Sequence, residues 1–199
     1  MLLAQERGVA HHWLTGRPAQ PVLWLALLAS DAPEQPPSVP AARRLQLWTD
    51  GTGFTGDVRC GLPLPLPSES FGSVVVQHLC EGDPGALIEE SVRVLAPGGR
   101  LLMFTLNPLS PYRFRWSGHA IGAREVGHWQ ERLRQLGLHL PPASEQYLGP
   151  VWRTSPHGGP GLSSNRLRAV CVLDAEKRAV AIIPPTSVRR AWNAGAAPA

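Results

Sequence analysis

Apolar residues follow two different patterns near the start of the chain, and each pattern predicts one type of element. In residues 2–14 the apolar side chains recur at helical spacing, which predicts an amphipathic helix that ends before Gly16 and Pro18. Residues 22–28 form a continuous apolar run, which is typical of a buried parallel strand. Residues 31–42 contain too many prolines for a helix, and we predict a loop there.

The middle of the chain predicts a strand, a helix and a second strand in succession. The β-branched run Ser73–Gln77 predicts a buried strand. Asp83 and Pro84 are the N-cap and first residue of a helix with one apolar face, and Pro97-Gly-Gly99 ends it. Residues 100–106 are apolar again, so this segment predicts a βαβ unit.

Weaker patterns flank this unit on both sides. A helical apolar stripe over residues 126–136 is closed by Gly137. Short apolar runs predict further strands over residues 44–48, 58–60 (an edge strand), 146–148, 168–173 and, after a turn at Asp174-Ala-Glu176, 180–183. We therefore predict one domain over residues 1–183 and a disordered tail over residues 184–199. The fold class is α/β: a doubly wound, mostly parallel Rossmann-like sheet with helices on both faces, abbreviated in its N-terminal half.

Composition and charge narrow the class of protein. The net charge of +4 comes mostly from scattered arginines, which favours solvated side chains over a nucleic-acid surface. Three cysteines without a CxxC pair indicate reduced thiols in a cytoplasmic protein, with neither a disulfide framework nor a zinc site. The apolar run 22–29 resembles a signal peptide, but its eight residues are too few to span a bilayer, so we expect no membrane association.

Several sequence motifs occur together in a characteristic order. They are Leu64-Pro-Leu-Pro-Ser-Glu-Ser-Phe71, Val74-Val-Val76, His78-Leu-Cys-Glu81 and Arg93-Val-Leu-Ala-Pro-Gly-Gly99. This series resembles class I S-adenosylmethionine (SAM)-dependent methyltransferases of the type 11 group. Phe104-Thr-Leu-Asn-Pro-Leu-Ser110 and Ala175-Glu-Lys-Arg178 resemble a small proteobacterial branch of that family. The resemblance covers residues 62–183 and implies SAM as the cofactor.

The chain departs from the family at the loop that holds SAM. The family has a glycine-rich loop after its first strand, because the backbone must approach the methionine part of the ligand closely. The corresponding run here, residues 27–33, contains no glycine, and the resemblance places Ala29, Ser30 and Asp31 at the cofactor. The glycine-rich run 51–56 is an alternative SAM loop, but a surface turn between short strands is the favoured interpretation.

Other candidate site residues follow from the family pattern and from the position of strand ends. Asp50 follows the second strand, where the resemblance implies a ribose-binding carboxylate, and Asp57 with Val58 would lie at the adenine edge. Ligands of open α/β sheets bind beyond the carboxyl ends of the strands. By that rule Gln77, His78 and Asn107 lie near the ligand. We predict that Gln77 contacts the cofactor and that His78 and Asn107 are catalytic residues.

A histidine at such an edge suggests a general base, because its pKa lies near neutrality, but a buried histidine bonded within the protein is the favoured alternative. Two functions are favoured over a third, a nucleic-acid-associated protein that uses the arginines. The first is a SAM-dependent methyltransferase acting on an unknown small molecule. The second is a catalytically inactive homologue, a pseudoenzyme that has lost SAM and binds a protein partner or serves as a scaffold. The glycine-free loop favours weak or absent catalysis.

Overall fold

A computed structural model of the chain describes residues 2–27, 43–50, 53–78, 84–115, 123–151 and 161–178. The helices of this part are α1 (Leu2–Thr15), α2 (Pro84–Val94) and α3 (Val126–Gln135), with a 3-10 helix at Pro111–Arg115. The strands are β1 (Val22–Ala26), β2 (Arg44–Thr49), β3 (Phe54–Gly56), β4 (Phe71–Gln77), β5 (Leu95–Leu106), β6 (Leu138–His139), β7 (Glu145–Leu148) and β8 (Val170–Lys177).

These strands form one eight-stranded mixed sheet. Its order is β3-β2-β1-β4-β5-β8-β6, and β7 pairs with β8 beside β6. The four central strands, β2, β1, β4 and β5, are parallel to one another. The peripheral strands β3, β6, β7 and β8 pair antiparallel with their neighbours. Parallel β1, β2, β4 and β5 all end at the same edge, which we call the carboxyl edge.

Side chains alternate along every strand, so apolar residues lie on both faces of the sheet, and helices cover each face. One apolar cluster joins α2 and α3 to the face that includes Leu25, Val76 and Met103. A second cluster joins α1 to the opposite face, which includes Trp24 and Phe104. The predicted α/β class, with helices on both faces, is therefore confirmed, and its parallel part is the central four strands.

Most predicted elements are present with small shifts at their ends. The helices at 2–14 and 126–136 correspond to α1 and α3, and the central βαβ unit corresponds to β4, α2 and β5. Strand β5 begins five residues before the predicted start, since Leu95 already pairs with Phe71. The loop at 31–42, the strand at 180–183 and the tail at 184–199 lie outside the described residues.

Two strand predictions were wrong, and the two-residue strand β6 was not predicted. The edge strand is Phe54–Gly56 rather than residues 58–60, where Cys60 makes only an isolated bridge to Phe54. Asp174-Ala-Glu176 is not a turn but lies within β8. The Asp174 carboxylate is tolerated inside a strand because Arg100 and Trp13 donate hydrogen bonds to it.

Candidate functional site

Four of the predicted site residues lie at the carboxyl edge of the sheet. Asp50 follows β2, Gln77 ends β4, His78 follows it, and Asn107 follows β5. Ala29, Ser30 and Asp31, predicted to contact the cofactor after β1, lie outside the described residues. Within the described part, β1 and β2 remain joined near this edge by a hydrogen bond of 2.6 Å from Thr49 Oγ1 to the Leu27 carbonyl.

Asp50 is a carboxylate held at the mouth of the β2–β3 hairpin. Its Oδ1 accepts a hydrogen bond from the Gly53 amide at 3.0 Å, and its Oδ2 lies 3.3 Å from Arg59 Nη2. The side chain of Arg59 is 83% exposed, so the ion pair is readily exchanged for solvent or for a ligand. An ionised carboxylate has about four acceptor positions, so Asp50 retains acceptor capacity for a pair of ribose hydroxyls.

Asp57 and Val58 are separated from Asp50 by the hairpin. Strand β3 returns antiparallel along β2, so Asp57 lies beside Gln46. The Gln46 amide donates to Asp57 Oδ2 at 2.7 Å, and the Asp57 amide donates to the Gln46 carbonyl at 3.0 Å. The structure therefore places Asp57 about four residues, roughly 13 Å, from the carboxyl edge. It does not bring Asp57 or Val58 together with the other predicted site residues.

Gln77 and His78 belong to a buried polar network with α1. Trp24 Nε1 donates to Gln77 Oε1 at 2.7 Å, and Gln77 Nε2 donates to Glu6 Oε2 at 3.3 Å. His78 Nε2 lies 3.0 and 3.1 Å from the two oxygens of Glu6. The side chains of Glu6 and His78 are both 0% exposed. Both oxygens of Glu6 are therefore within hydrogen-bond distance of the same imidazole nitrogen.

This network fixes the end of β4 and directs the His78 imidazole into the protein. The backbone of His78 has a positive φ of 53°, and its amide donates to the Phe104 carbonyl at 2.9 Å. A general base must come within hydrogen-bond reach of the substrate proton. In this geometry Nε2 is directed at Glu6, so the arrangement supports a structural role for His78.

The side chain of Asn107 is likewise hydrogen-bonded within the protein, to backbone groups of two segments. Its Nδ2 donates to the carbonyls of Arg166 and Arg168 at 2.6 and 2.8 Å, and its Oδ1 accepts from the Leu109 amide at 3.1 Å. The residue is 2% exposed. Asn107 thus joins the end of β5 to the segment that leads into β8, and its amide is used for that connection.

Glu6 is the residue of this network that the sequence analysis missed. A glutamate in an amphipathic helix is ordinarily assigned to the solvent face. The buried positions of α1 are Leu2, Glu6, Ala10 and Leu14, which recur every four residues. That spacing is the signal that would have placed Glu6 on the buried face.

No family model and no curated protein matches the sequence, whereas many solved structures match the fold. A SAM-dependent methyltransferase from Thermotoga maritima is 14% identical, with a TM-score of 0.53 over 85% of this chain and 92% of that one. Geranyl diphosphate C-methyltransferase from Streptomyces coelicolor A3(2), solved with Mg²⁺, geranyl diphosphate and S-adenosyl-L-homocysteine, is 12% identical, with a TM-score of 0.52 over 86% and 79% of the chains. The [4+2]-cyclase SpnF is 15% identical, with a TM-score of 0.57 over 88% and 81%.

These similarities show that the chain has the class I methyltransferase fold. They also include a protein named for cyclisation, so the fold by itself does not specify the reaction. No helix in the described ranges is long and apolar enough to cross a membrane. The same ranges contain no group of three His, Cys, Asp or Glu side chains with the geometry of a metal site.

Proposed function

We propose that this chain binds SAM at the carboxyl edge of its sheet and acts as a methyltransferase-like protein on a small molecule. The observation that carries the proposal is the position of Asp50, which follows β2 directly beside β1 within the class I methyltransferase strand order. A carboxylate at that point can accept hydrogen bonds from both ribose hydroxyls of a nucleoside.

The chemistry at this edge would depend on positioning. SAM supplies a methyl group activated by its sulfonium, and an in-line approach of the acceptor is the main requirement. Gln77, His78 and Asn107 would shape the edge rather than exchange protons, because their polar groups are bonded to other protein groups. The acceptor would then be a nucleophile that needs no strong base, such as a neutral amine, a thiolate or an activated carbon.

We further propose that the chain falls within the type 11 group and its small proteobacterial branch. Two of the motifs that suggest this contact each other in the structure. Arg93, from the Arg93–Gly99 motif, donates to the carbonyls of Leu64 and Leu66 in the proline-rich segment at 3.0 and 2.9 Å. This contact makes the two motifs one structural unit, which supports treating them together as the type 11 pattern; the branch proposal rests on the sequence motifs 104–110 and 175–178.

The cofactor proposal is tested by titration calorimetry with SAM and S-adenosylhomocysteine. We expect micromolar binding by the wild-type chain and at least tenfold weaker binding by Asp50→Asn. That variant keeps an acceptor for the Gly53 amide but removes the charge that strengthens hydrogen bonds to hydroxyls. Glu131→Gln, an exposed change on α3, is the matched control and should bind as the wild type does. No heat and no thermal shift at millimolar ligand would overturn the proposal.

A catalytically inactive homologue, serving as a binding or scaffold subunit, is the second candidate. It is favoured by the hydrogen bonds that Gln77, His78 and Asn107 make within the protein. Because of these bonds, none of the three described side chains at the ends of β4 and β5 is available as a general base. A mass-spectrometric assay for methyl transfer to pooled small-molecule amines, thiols and alcohols separates the two candidates. Absence of both S-adenosylhomocysteine binding and methylated product supports the inactive homologue, and product formation excludes it.

A further inference from the structure

A cavity lies on the α1 face of the sheet, away from the carboxyl edge. Its volume is about 640 Å³. It is lined by residues of β5 and β8, of α1, and of the segment Pro141–Gln146 together with Gly161 and Leu162. Cavities of this size bury most of the surface of a drug-sized molecule.

The lining of this cavity is mostly apolar. Val9 on α1 faces Leu102 on β5 and Val172 on β8, and Leu162 at the rim is 41% exposed. Covering a water-exposed apolar side chain with an apolar ligand lowers the free energy of the system, because apolar surface is removed from water. The walls therefore favour a largely apolar occupant.

A hydrogen-bonded polar group lies at one end. Arg100 donates from Nε and Nη2 to the two carboxylate oxygens of Asp174 at 3.1 and 2.5 Å. Trp13 Nε1 donates to the same carboxylate at 2.9 Å, and the Arg17 guanidinium stacks 3.9 Å from the centre of the Trp13 ring. These contacts hold Trp13 in place as a rigid aromatic wall.

The charges around this end are balanced. Arg17 and Arg100 are matched by Asp174 and Glu176, which are the charged groups that act on one another there. Burial raises the pKa of Asp174, and the contacts from Trp13 and Arg100 oppose that rise. Among the residues that the structure describes at this end, a charged ligand would therefore meet no unmatched carboxylate or guanidinium, and it would lose hydration on entering.

We propose that this cavity binds an uncharged, largely apolar, drug-sized molecule that carries a hydrogen-bond acceptor for the outer edge of Arg100. Arg100 uses Nε and Nη2 for Asp174, and its side chain remains 30% exposed. The site is separate from the cofactor edge, because Arg100 and Leu102 lie four to six residues before the end of β5 at Leu106. The inference does not depend on SAM binding.

Nile red, an uncharged dye with a carbonyl acceptor, is a suitable probe because its fluorescence increases in apolar surroundings. We expect saturable binding of one dye per chain with a dissociation constant on the order of 10 µM. Saturating S-adenosylhomocysteine and the Asp50→Asn variant should each change that constant less than about twofold, since they act at the other site. Absence of saturable binding would overturn the proposal.

Two substitutions test the location. Val9→Trp adds bulk from the α1 wall, and Gly161→Trp adds it at the exposed rim, where a Cβ meets no atom within 4 Å. Each should weaken dye binding at least tenfold. The controls are Val58→Trp and Gly127→Trp, which make the same changes at exposed positions outside the lining. Wild-type affinity in a Gly161→Trp chain and in a folded Val9→Trp chain would place the dye elsewhere.

The charge preference is tested by competition between a matched pair of ligands. Methyl pyrenebutyrate and pyrenebutyrate share the same apolar body, and they differ in whether the polar end is an ester or a carboxylate. We expect the ester to displace Nile red at a concentration at least ten times lower. Displacement by the carboxylate at an equal or lower concentration would show that the site selects anions, and the proposed ligand class would be incorrect.

Discussion

A single buried carboxylate joins the first helix of the chain to the edge at which we propose SAM binds. Glu6 is 0% exposed, accepts a hydrogen bond from Gln77 and is hydrogen-bonded to His78. Neither partner could be inferred from sequence, because they lie 72 and 71 residues away. The sequence predicted that His78 and Gln77 lie at the edge, and the structure shows that Glu6 determines their direction.

Replacing Glu6 with alanine is expected to lower the free energy of unfolding by about 3 kcal/mol. The loss leaves the buried Gln77 amide and His78 imidazole without the Glu6 carboxylate, and that cost greatly exceeds the gain in helix propensity from alanine. Urea denaturation followed by circular dichroism measures the change. Glu131→Ala, whose side chain is 62% exposed, should change stability by less than about 0.5 kcal/mol. Equal stability of the two variants would show that the network contributes little.

Glu90 and Arg93 on α2 hold the proline-rich segment before β4. Glu90 Oε2 accepts from the Leu64 amide at 2.7 Å, while Arg93 Nε donates to Glu90 Oε1 at 2.8 Å. The hydrogen bond from Arg93 is the main reason that the pKa of Glu90 lies below its ordinary value, and the Leu64 amide adds to the effect. Because prolines lack amide protons, this segment relies on side chains to fix it.

Glu90→Gln should destabilise the protein by about 1–2 kcal/mol at pH 7, since charge-assisted hydrogen bonds are lost. A lowered folded-state pKa stabilises the fold above the ordinary glutamate pKa of about 4.3, and that contribution is lost as pH falls through the lowered value. Urea unfolding of both chains between pH 3 and 8 should therefore show a difference that is constant above pH 6 and shrinks below about pH 4. Glu89→Gln, with a 51% exposed side chain, is the control. A difference that does not vary with pH would contradict this account.

At the scale of elements, the β2–β3 hairpin is where the sequence prediction failed and where Asp50 is located. The apolar residues at 58–60 suggested an edge strand, but the chain turns back earlier. Gly56 has a φ of 145°, and a Cβ there would lie 2.2 Å from the Gln46 carbonyl oxygen. Only glycine fits this close approach to β2, so the position of the strand depends on a conformational property that apolar patterns do not report.

Gly56→Ala is accordingly expected to destabilise the protein by at least about 2 kcal/mol, because the new Cβ forces β3 away from β2. Thermal and urea unfolding measure the loss. Gly61→Ala provides the matched control, since a Cβ at that position meets nothing within 4 Å, and its effect should stay below about 0.5 kcal/mol. If both alanine variants unfold like the wild type, the close approach at Gly56 does not constrain the hairpin.

For the whole molecule, the central sheet could be predicted and much of the site could not. Strands β1, β4 and β5 each contain an uninterrupted apolar run, at residues 22–26, 74–76 and 101–104, so local composition is sufficient to identify them. Asp174 in β8 suggested a turn because its partners, Arg100 and Trp13, lie 74 and 161 residues away. Polar groups inside a sheet depend on such distant partners, whereas apolar groups need only an apolar surrounding. The same difference separates the well-predicted core from the poorly predicted Glu6 network.

The sheet order also predicts how stability is distributed over the molecule. Strands β4 and β5 each pair on both sides at the centre of the sheet, whereas β3 and β6 are edge strands of three and two residues. Amides of β4 and β5 can exchange only through global unfolding, while those of β3 and β6 exchange through local opening.

Hydrogen–deuterium exchange with mass spectrometry should give β4 and β5 the slowest rates, with opening free energies equal to the global value from urea unfolding. Strand β8, paired with β5 along seven residues, should follow closely, and β3 and β6 should exchange at least about a hundredfold faster. Equal rates in β4 and β3 would show that the parallel centre is not the cooperative core of the fold.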